Sequence, residues 1–209
     1  MLSEKYTQVN PKETSVESIY KLLIGAILPR PIAFISTLNK QGQGNLAPFS
    51  FFNGVCSNPP CLMVSIARKP NGEKKDSLRN IEETGEFVVN SANEWLIEKL
   101  VSCGSTYPYG ENEMERVGLN PLASQLVKPP RVKESAFHME CKLYNQMEIG
   151  DGTAGSSTIV VGEIVLFHIN EAIYKEGKID LSTYKPMARL GGSNYCEPGV
   201  IRNLPIPKI

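Results

Sequence analysis

The sequence predicts a mainly β protein, built as an antiparallel closed or split β-barrel with a few short helices. Strand-like segments follow one another at hairpin spacing, which favours antiparallel pairing over alternating parallel βαβ units. No G-x-G-x-x-G motif follows a strand, so a parallel dinucleotide-binding domain is not indicated. At 209 residues the chain is long enough for one substantial core, and we expect a single domain over residues 1–209.

Composition excludes several classes of function. Lysine plus arginine and aspartate plus glutamate each number 22, and the zero net charge argues against a nucleic-acid binder that relies on a basic surface. Five cysteines without C-x-x-C spacing and only two histidines predict neither a disulfide framework nor a metal site. No apolar run could cross a bilayer and the first residues lack a hydrophobic signal core, so we expect a cytoplasmic protein with no membrane partner.

The first elements are a helix and a hairpin. Apolar residues recur at helical spacing over residues 17–27, and Pro29 ends that pattern. Residues 32–38 and 46–52 are two apolar, strand-like runs joined by a turn rich in asparagine and glycine. In the second run Pro48 marks an edge or a bulge, where backbone groups face outward. Exposed amides, a hydroxyl and three aromatics there suit a planar ligand with a polar edge, although an ordinary aromatic core strand would use the same residues.

The middle of the chain alternates short strands and helices. Residues 61–67 are continuously apolar, which predicts a strand in the interior of the sheet. A short helix is predicted over residues 77–83, followed by a strand over residues 86–90. A capping-box pattern over residues 91–94 predicts a second helix, and the long loop over residues 105–130 has the length of a functional excursion.

Two long strands and a tail complete the predicted fold. Residues 136–149 alternate between apolar and polar, which predicts a strand with His138 and Glu140 on a solvent-exposed face. Residues 158–169 are apolar in both phases and predict a buried strand, in which His168 is a structural histidine. From Tyr184 onward, prolines and glycines prevent long regular elements and indicate a C-terminal tail that wraps the barrel.

A short cationic segment before the predicted helix could bind an anion. Lys74, Lys75, Asp76 and Ser77 combine two ammonium groups and a hydroxyl with the free amides of a helix start, the groups that hold a phosphate. The same residues would also serve as plain helix capping beside two solvated lysines. Arg68 lies a few residues earlier, where it could reach the same phosphate or remain a surface residue at a strand end.

Five segments in order resemble the flavin reductase-like family with the FMN-binding split β-barrel, especially its flavoredoxin branch. They are P-R-P-I-A-F-I-S-T, N-L-A-P-F-S-F-F-N, S-N-P-P with the strand ending at Arg68, K-K-D-S-L-R-N-I and G-E-F-V-V-N. The resemblance runs from about Val16 to Tyr195. It implies FMN as the cofactor, a homodimer, and NADH or NADPH as the co-substrate.

The resemblance also implies which residues hold the flavin. The phosphate and ribityl chain would be held by Ser65, Ile66, Ala67, Arg68, Lys74, Lys75, Asp76 and Ser77. The ring would lie against Ala47, Pro48, Phe49, Ser50, Phe51 and Asn53, with Arg30, Ser36 and Thr37 nearby. A tail segment comprising Leu190, Gly191, Gly192 and Tyr195 would reach the flavin, or would simply form tight surface turns.

The sequence departs from the family pattern at one position that bears on the expected reaction. Many flavin reductases of this family carry a histidine that helps to place the nicotinamide, and Ser157 stands at the matching position here. His168, near the end of the same strand, either substitutes for that histidine or is a structural histidine. The leading hypothesis is an FMN-binding oxidoreductase in which a reduced nicotinamide gives hydride to the flavin, and electrons pass to a free flavin or to a partner such as an oxygenase. The alternatives are a flavoredoxin-type electron-transfer protein reduced by a protein partner, and a flavin- or haem-binding module without a redox role. No acid–base pair is required for hydride transfer, so the flavin carries the chemistry.

Overall fold

Strands supply most of the regular structure, 36% of the chain against 21% in helices, in a computed structural model that describes residues 4–207. The helices are α1 (Val16–Ala26), α2 (Asp76–Thr84), α3 (Ile97–Ser102), α4 (Glu113–Arg116) and α5 (Leu181–Tyr184). The strands are β1 (Arg30–Pro31), β2 (Ala33–Leu38), β3 (Gly44–Phe49), β4 (Phe52–Ser57), β5 (Pro60–Ala67), β6 (Glu86–Ser91), β7 (Pro121–Leu122), β8 (Arg131–Val132), β9 (Phe137–Ile149), β10 (Ser157–Ile169), β11 (Tyr174–Lys175), β12 (Lys178–Ile179), β13 (Ala188–Arg189) and β14 (Tyr195–Cys196).

Seven antiparallel strands form the main sheet, in the order β3-β2-β6-β9-β10-β5-β4. The predicted first hairpin is confirmed as β2 and β3, which pair from Ala33 opposite Phe49 to Leu38 opposite Gly44. The strand predicted to be interior is β5, which pairs with β10 on one side and β4 on the other. A separate small sheet joins β1 to β13 and β14, so the tail is attached to the start of the barrel.

The two edges of the main sheet are joined by a link of two residues, which we call the seam (Ser50 and Phe51). The predicted single strand over residues 46–52 is therefore wrong, because β3 ends at Phe49 and β4 begins at Phe52. In a flat sheet the edge strands would be about 29 Å apart at a spacing of about 4.8 Å per strand. The chain from Phe49 to Phe52 can span only about 10 Å. The sheet must therefore curl into a barrel, although β3 and β4 do not pair and leave it unclosed.

Two apolar clusters lie on opposite faces of the curled sheet. The first fills the barrel with side chains such as Ile35, Val64 and Phe87, and α2 closes it by burying Leu78 and Ile81. The second lies outside β2 and β3, where it is covered by α3, α4 and the connecting loops. The first cluster holds α2 and the second holds the 103–113 region, one on each side of β3. The candidate site lies between α2 and the 103–113 region.

The prediction of a solvent-exposed face on β9 is wrong at its N-terminal half. His138 is buried, and Glu140 is fully buried. The carboxylate of Glu140 accepts the backbone N–H groups of Gln125 and Leu126 at 2.8 and 2.6 Å, and it pairs with His168 at 2.6 Å. The loop from the preceding excursion therefore covers this face of the strand, and His168 has the structural partner expected of it.

The helical predictions after β6 are only partly correct. A helix does follow, but it begins as a 3-10 turn over Glu94–Leu96 and continues as α3, and Ser91 belongs to β6 instead of a capping box. The long loop predicted over residues 105–130 contains α4 and β7, and β8 directly after it pairs with β7 as a hairpin. Within residues 4–207, no helix is long and apolar enough to span a bilayer.

Candidate functional site

Two adjoining cavities lie beside the end of β3, and they share walls made by Pro48, Lys75 and Gly104. The first, of about 480 Å³, lies between the start of α2 and the segment after α3. The second, of about 420 Å³, lies between the seam, the end of α1 and the tail. Each is within the size range of small-molecule sites in proteins. Predicted residues in their walls are Arg30, Ala47, Pro48, Phe49, Ser50, Lys75, Asp76, Ser77, Gly192 and Tyr195.

The start of α2 faces the first cavity without a side-chain cap. Its N-cap residue, Lys75, has an extended backbone and makes no capping hydrogen bond. Asp76 does not provide a cap, because its carboxylate pairs with Lys69 Nζ at 2.9 Å. The first amides of a helix have no partner within the helix, and they carry the positive end of its dipole. This helix start is therefore suited to an anion.

The ammonium group of Lys75 adds a positive charge in the wall between the two cavities. Its Nζ lies 5.5 Å from the centroid of the Phe49 ring, and it forms no ion pair with any carboxylate in residues 4–207. Burial, and secondarily the charge of Lys69, lower the pKa of Lys75. A partly buried ammonium without a counter-ion, next to an uncapped helix start, fits a ligand phosphate.

A buried hydrogen-bond network fixes Ser77 in this wall. Asn45 Nδ2 donates to Ser77 Oγ at 2.8 Å and lies 3.4 Å from Thr37 Oγ1, which also accepts from Asn80 Nδ2 at 3.0 Å. The network joins β2, β3 and α2, so two predicted residues, Thr37 and Ser77, are brought together by two asparagines that the sequence analysis did not identify. Thr37 itself is buried behind the cavity wall.

The side chain of Arg30 holds together the segments that surround the second cavity. Its guanidinium is buried, and it donates to the carbonyl oxygens of Ile24, Ile27 and Leu190 at 2.8 to 2.9 Å. Its Nε lies 3.3 Å from the hydroxyl of Ser50 in the seam. One side chain therefore ties α1, the seam and the tail together, and this accounts for the predicted tail residues lying beside the hairpin.

The tail forms the outer wall of the second cavity. β13 pairs with β1, opposite Arg30, and β14 then pairs back onto β13. The guanidinium of Arg189 donates to the Tyr195 hydroxyl and to the Gly192 carbonyl, and it stacks on the Tyr195 ring. Gly192 and Tyr195 line the cavity, whereas Leu190 and Gly191 connect them to β13.

Other predicted residues lie outside both cavities. Arg68 pairs with Glu148 at 2.8 Å, and Lys74 pairs with Glu82 at 2.7 Å. Ser65 Oγ lies 3.0 Å from the Ser157 hydroxyl on the neighbouring strand. The remaining predicted residues that do not line either cavity are Ser36, Phe51, Asn53, Ile66 and Ala67.

Several residues that line the site were not predicted from the sequence. The segment from Cys103 to Tyr107 lines the first cavity, and Glu113 of α4 closes it. The Glu113 carboxylate accepts the Leu46 N–H at 2.7 Å, and burial, with a smaller effect of Asp76, raises the pKa of Glu113. The length of the 105–130 loop was the available signal for this region. Among the described residues no cluster of histidine, cysteine or acidic side chains could hold a metal ion.

Comparison with known proteins identifies the fold and the family. The family described as Flavin reductase like domain matches residues 25–186. Nitrilotriacetate monooxygenase component B from Bacillus cereus is 38% identical, with a TM-score of 0.93 over 97% of this chain and 100% of that one. The 2-nitrobenzoate 2-nitroreductase NbaA from Pseudomonas fluorescens is 32% identical, with a TM-score of 0.86 over 96% of both chains.

The flavoredoxin of Desulfovibrio vulgaris (Miyazaki F) shares the fold at 22% identity, with a TM-score of 0.73 over 85% of this chain and 91% of that one. The predicted split-barrel fold class is thus confirmed. The predicted resemblance is confirmed as well, because the family match covers most of the chain and continues through β2, α2, β9 and β10. This chain belongs to the flavin reductase-like family.

Proposed function

We propose that this protein is an FMN-binding oxidoreductase in which a reduced nicotinamide gives hydride to the flavin, and electrons then pass to a free flavin or to a partner protein. The observation that carries the proposal is the uncapped start of α2 with the unpaired ammonium of Lys75, in the wall that the two cavities share. The family membership supports flavin binding in general. The phosphate of FMN is the chemical group that this wall fits best.

Lys75, Ser77 and the first amides of α2 would hold the phosphate. The ring would lie along residues 47–50, where backbone groups near Pro48 are available at the end of β3. Arg68 and Lys74 would join the phosphate only by leaving their carboxylate partners. FMN supplies a ring that accepts hydride and passes electrons on.

The residues of this chain position the reactants. The buried amide network behind Ser77 fixes one end of the site, and Arg30 fixes the seam and tail at the other end. Holding two reactants at a defined separation turns a bimolecular transfer into a local one, which can supply a large effective concentration. Gly192 and Tyr195 of the tail line the second cavity, where they would shield a bound ring from water.

Two classes of electron acceptor follow from the similar proteins. Similarity to a monooxygenase component B supports an oxygenase partner that uses the reduced flavin. Similarity to a 2-nitrobenzoate 2-nitroreductase supports a nitroaromatic acceptor. A homodimer, as the family implies, belongs to the same proposal.

A second candidate function is electron transfer of the flavoredoxin type, with FMN permanently bound and reduced by a protein. Ser157 favours it, because this position carries a serine in place of the histidine that helps to place nicotinamide in many relatives. Its hydroxyl is engaged by Ser65 in the β5–β10 ladder. A flavin- or haem-binding module without a redox role is the third possibility.

Anaerobic titration of the purified protein with NADH and NADPH distinguishes these functions. We expect a yellow protein whose flavin absorption is bleached by one of the nicotinamides at a rate that supports turnover. Colour without bleaching would exclude the nicotinamide-dependent reaction and leave electron transfer from a protein. A colourless protein that does not bind added FMN would exclude both redox functions.

A further inference from the structure

Two cysteines face each other on the β4–β5 hairpin, away from the two cavities. Cys56 lies directly opposite Cys61, one pair from the turn, and a register shift separates them from the pair at Gly54. Residues opposite each other in an antiparallel pair have Cα atoms about 4.5 to 5.5 Å apart. A disulfide requires a Cα separation of about 4.4 to 6.8 Å. The backbone therefore already has the spacing that a bond between these sulfurs needs.

The two thiols differ in their environment. Cys56 lies on the outermost strand of the sheet and is exposed, with its Sγ 3.0 Å from the Pro59 carbonyl oxygen. Cys61 is buried, and burial together with the adjacent Cys56 raises the pKa of the Cys61 thiol. An exposed thiol next to a buried one is the arrangement in which the first can react with a solute and the second can resolve the product.

The other cysteines lack such a partner among the described residues. Cys141 is on β9, two strands away from Cys61 across β10, or about 10 Å at the usual strand spacing. That separation is too long for a disulfide. Cys103 is buried beside the first cavity, and Cys196 lies on β14 in the tail.

We propose that Cys56 and Cys61 form a dithiol site that hydrogen peroxide oxidises to a cross-strand disulfide. The Cys56 sulfur attacks one peroxide oxygen, the O–O bond breaks, and a sulfenic acid and one water form. The Cys61 sulfur then attacks the Cys56 sulfur, the S–O bond breaks, and a second water leaves as the S–S bond forms. The two sulfurs together lose two electrons and two protons, and peroxide is reduced to two waters. The site is independent of the proposed flavin reaction.

Peptide mapping tests this site directly. Trypsin releases residues 41–68 as one peptide, which contains Cys56 and Cys61 and no other cysteine. The reduced protein is treated with hydrogen peroxide, its remaining thiols are alkylated, and the digest is analysed without reduction. We expect this peptide to lose two hydrogens in mass, to take no alkyl label, and to recover both thiols after reduction.

Single variants identify the order of events. In Cys61→Ser we expect a sulfenic acid at Cys56 that dimedone captures, and in Cys56→Ser we expect Cys61 to remain a thiol. Cys196→Ser is the matched control and should form the disulfide like the unaltered protein. Alkylation of both cysteines after peroxide treatment, a disulfide between two chains, or oxidation of Cys56 to sulfinic acid while Cys61 stays a thiol would overturn the proposal. The mapping of the unaltered chain decides the question even if a variant does not fold.

Discussion

Replacing Lys75 with methionine should weaken FMN binding and leave riboflavin binding nearly unchanged, because riboflavin differs from FMN only by lacking the phosphate. Hydrogen bonds to charged groups contribute about 1.5 to 3 kcal/mol. Loss of one such contact corresponds to a decrease in affinity of about 10- to 150-fold. Methionine keeps most of the length and the apolar stem of lysine, and it removes the ammonium group that lies 5.5 Å from the centroid of the Phe49 ring.

The assay is quenching of flavin fluorescence on titration with apo-protein, carried out for both ligands at two salt concentrations. The matched control is Lys74→Met, since Lys74 is already paired with Glu82 and should contribute less to phosphate binding. Ser77→Ala should add to the loss for FMN. Equal losses for FMN and riboflavin, or an unchanged FMN affinity, would refute the assignment of the phosphate to the start of α2.

The same substitution should also change the stability of the apo-protein. The pKa of Lys75 is lowered by burial and then by Lys69, which means that folding disfavours its charged form. Removing a partly buried charge that has no counter-ion relieves this cost. We therefore expect Lys75→Met to unfold at a higher denaturant concentration than the unaltered chain when no flavin is present.

Three further predictions concern the scaffold. Burial raises the pKa of Glu113. The stability that this carboxyl group contributes is therefore fully present below the ordinary glutamate pKa and is lost as pH rises through the raised value. In urea unfolding at several pH values, Glu113→Gln should show a smaller decline of stability with pH than the unaltered chain. Gly162→Ala should destabilise the protein by about 1 to 3 kcal/mol, because the new Cβ would lie 2.3 Å from a buried aromatic ring, whereas Gly54→Ala meets nothing within 4 Å and serves as its control. Glu140→Gln should lower the free energy of unfolding by about 1 to 3 kcal/mol, because a carboxylate that binds three loop amides and a histidine is lost.

Each of these has a result that would contradict it. An equal pH slope in Glu113→Gln and the unaltered chain would show that another group controls the decline. Equal stabilities of the Gly162 and Gly54 variants would show that the sheet relaxes around the new methyl group. For Glu140, burial alone would raise its pKa, but the bonds from Gln125, Leu126 and His168 lower it. Stability from this carboxylate should thus be lost only as pH falls through the lowered pKa, and a loss that begins at neutral pH would contradict that account.

Patterns of neighbouring residues in the sequence predicted the hairpins and helices that depend on short-range contacts. The β2–β3 hairpin and α2 follow from apolar runs, turn formers and the glycine at residue 85, which takes the left-handed conformation as a C-cap. The break at Ser50 has no such local cause. It results from the two edges of the sheet lying on either side of the seam, which is a property of the whole strand order.

Burial on β9 shows the same limit. Apolar and polar residues do alternate along β9, and this alternation predicted a solvent-exposed position for Glu140. The loop that follows β7 covers that face, however, and donates backbone N–H groups to the carboxylate. In the candidate site, the contiguous residues from Lys75 to Ser77 could be found from the sequence. Asn45 and Glu113 could not, because they reach the cavity wall from β3 and from a short helix in a long loop.

The seam also determines how the chain would respond to being cut. Cleavage of the peptide bond between Ser50 and Phe51 would interrupt none of the strand pairings in the main sheet, because β3 and β4 do not pair. The curvature, however, is maintained by this covalent link together with side-chain packing. A chain nicked or circularly permuted at this bond would keep its hydrogen-bonded ladder, but its two edges would be free to separate. The sheet could then assemble without fixing the shape of the two cavities beside the seam.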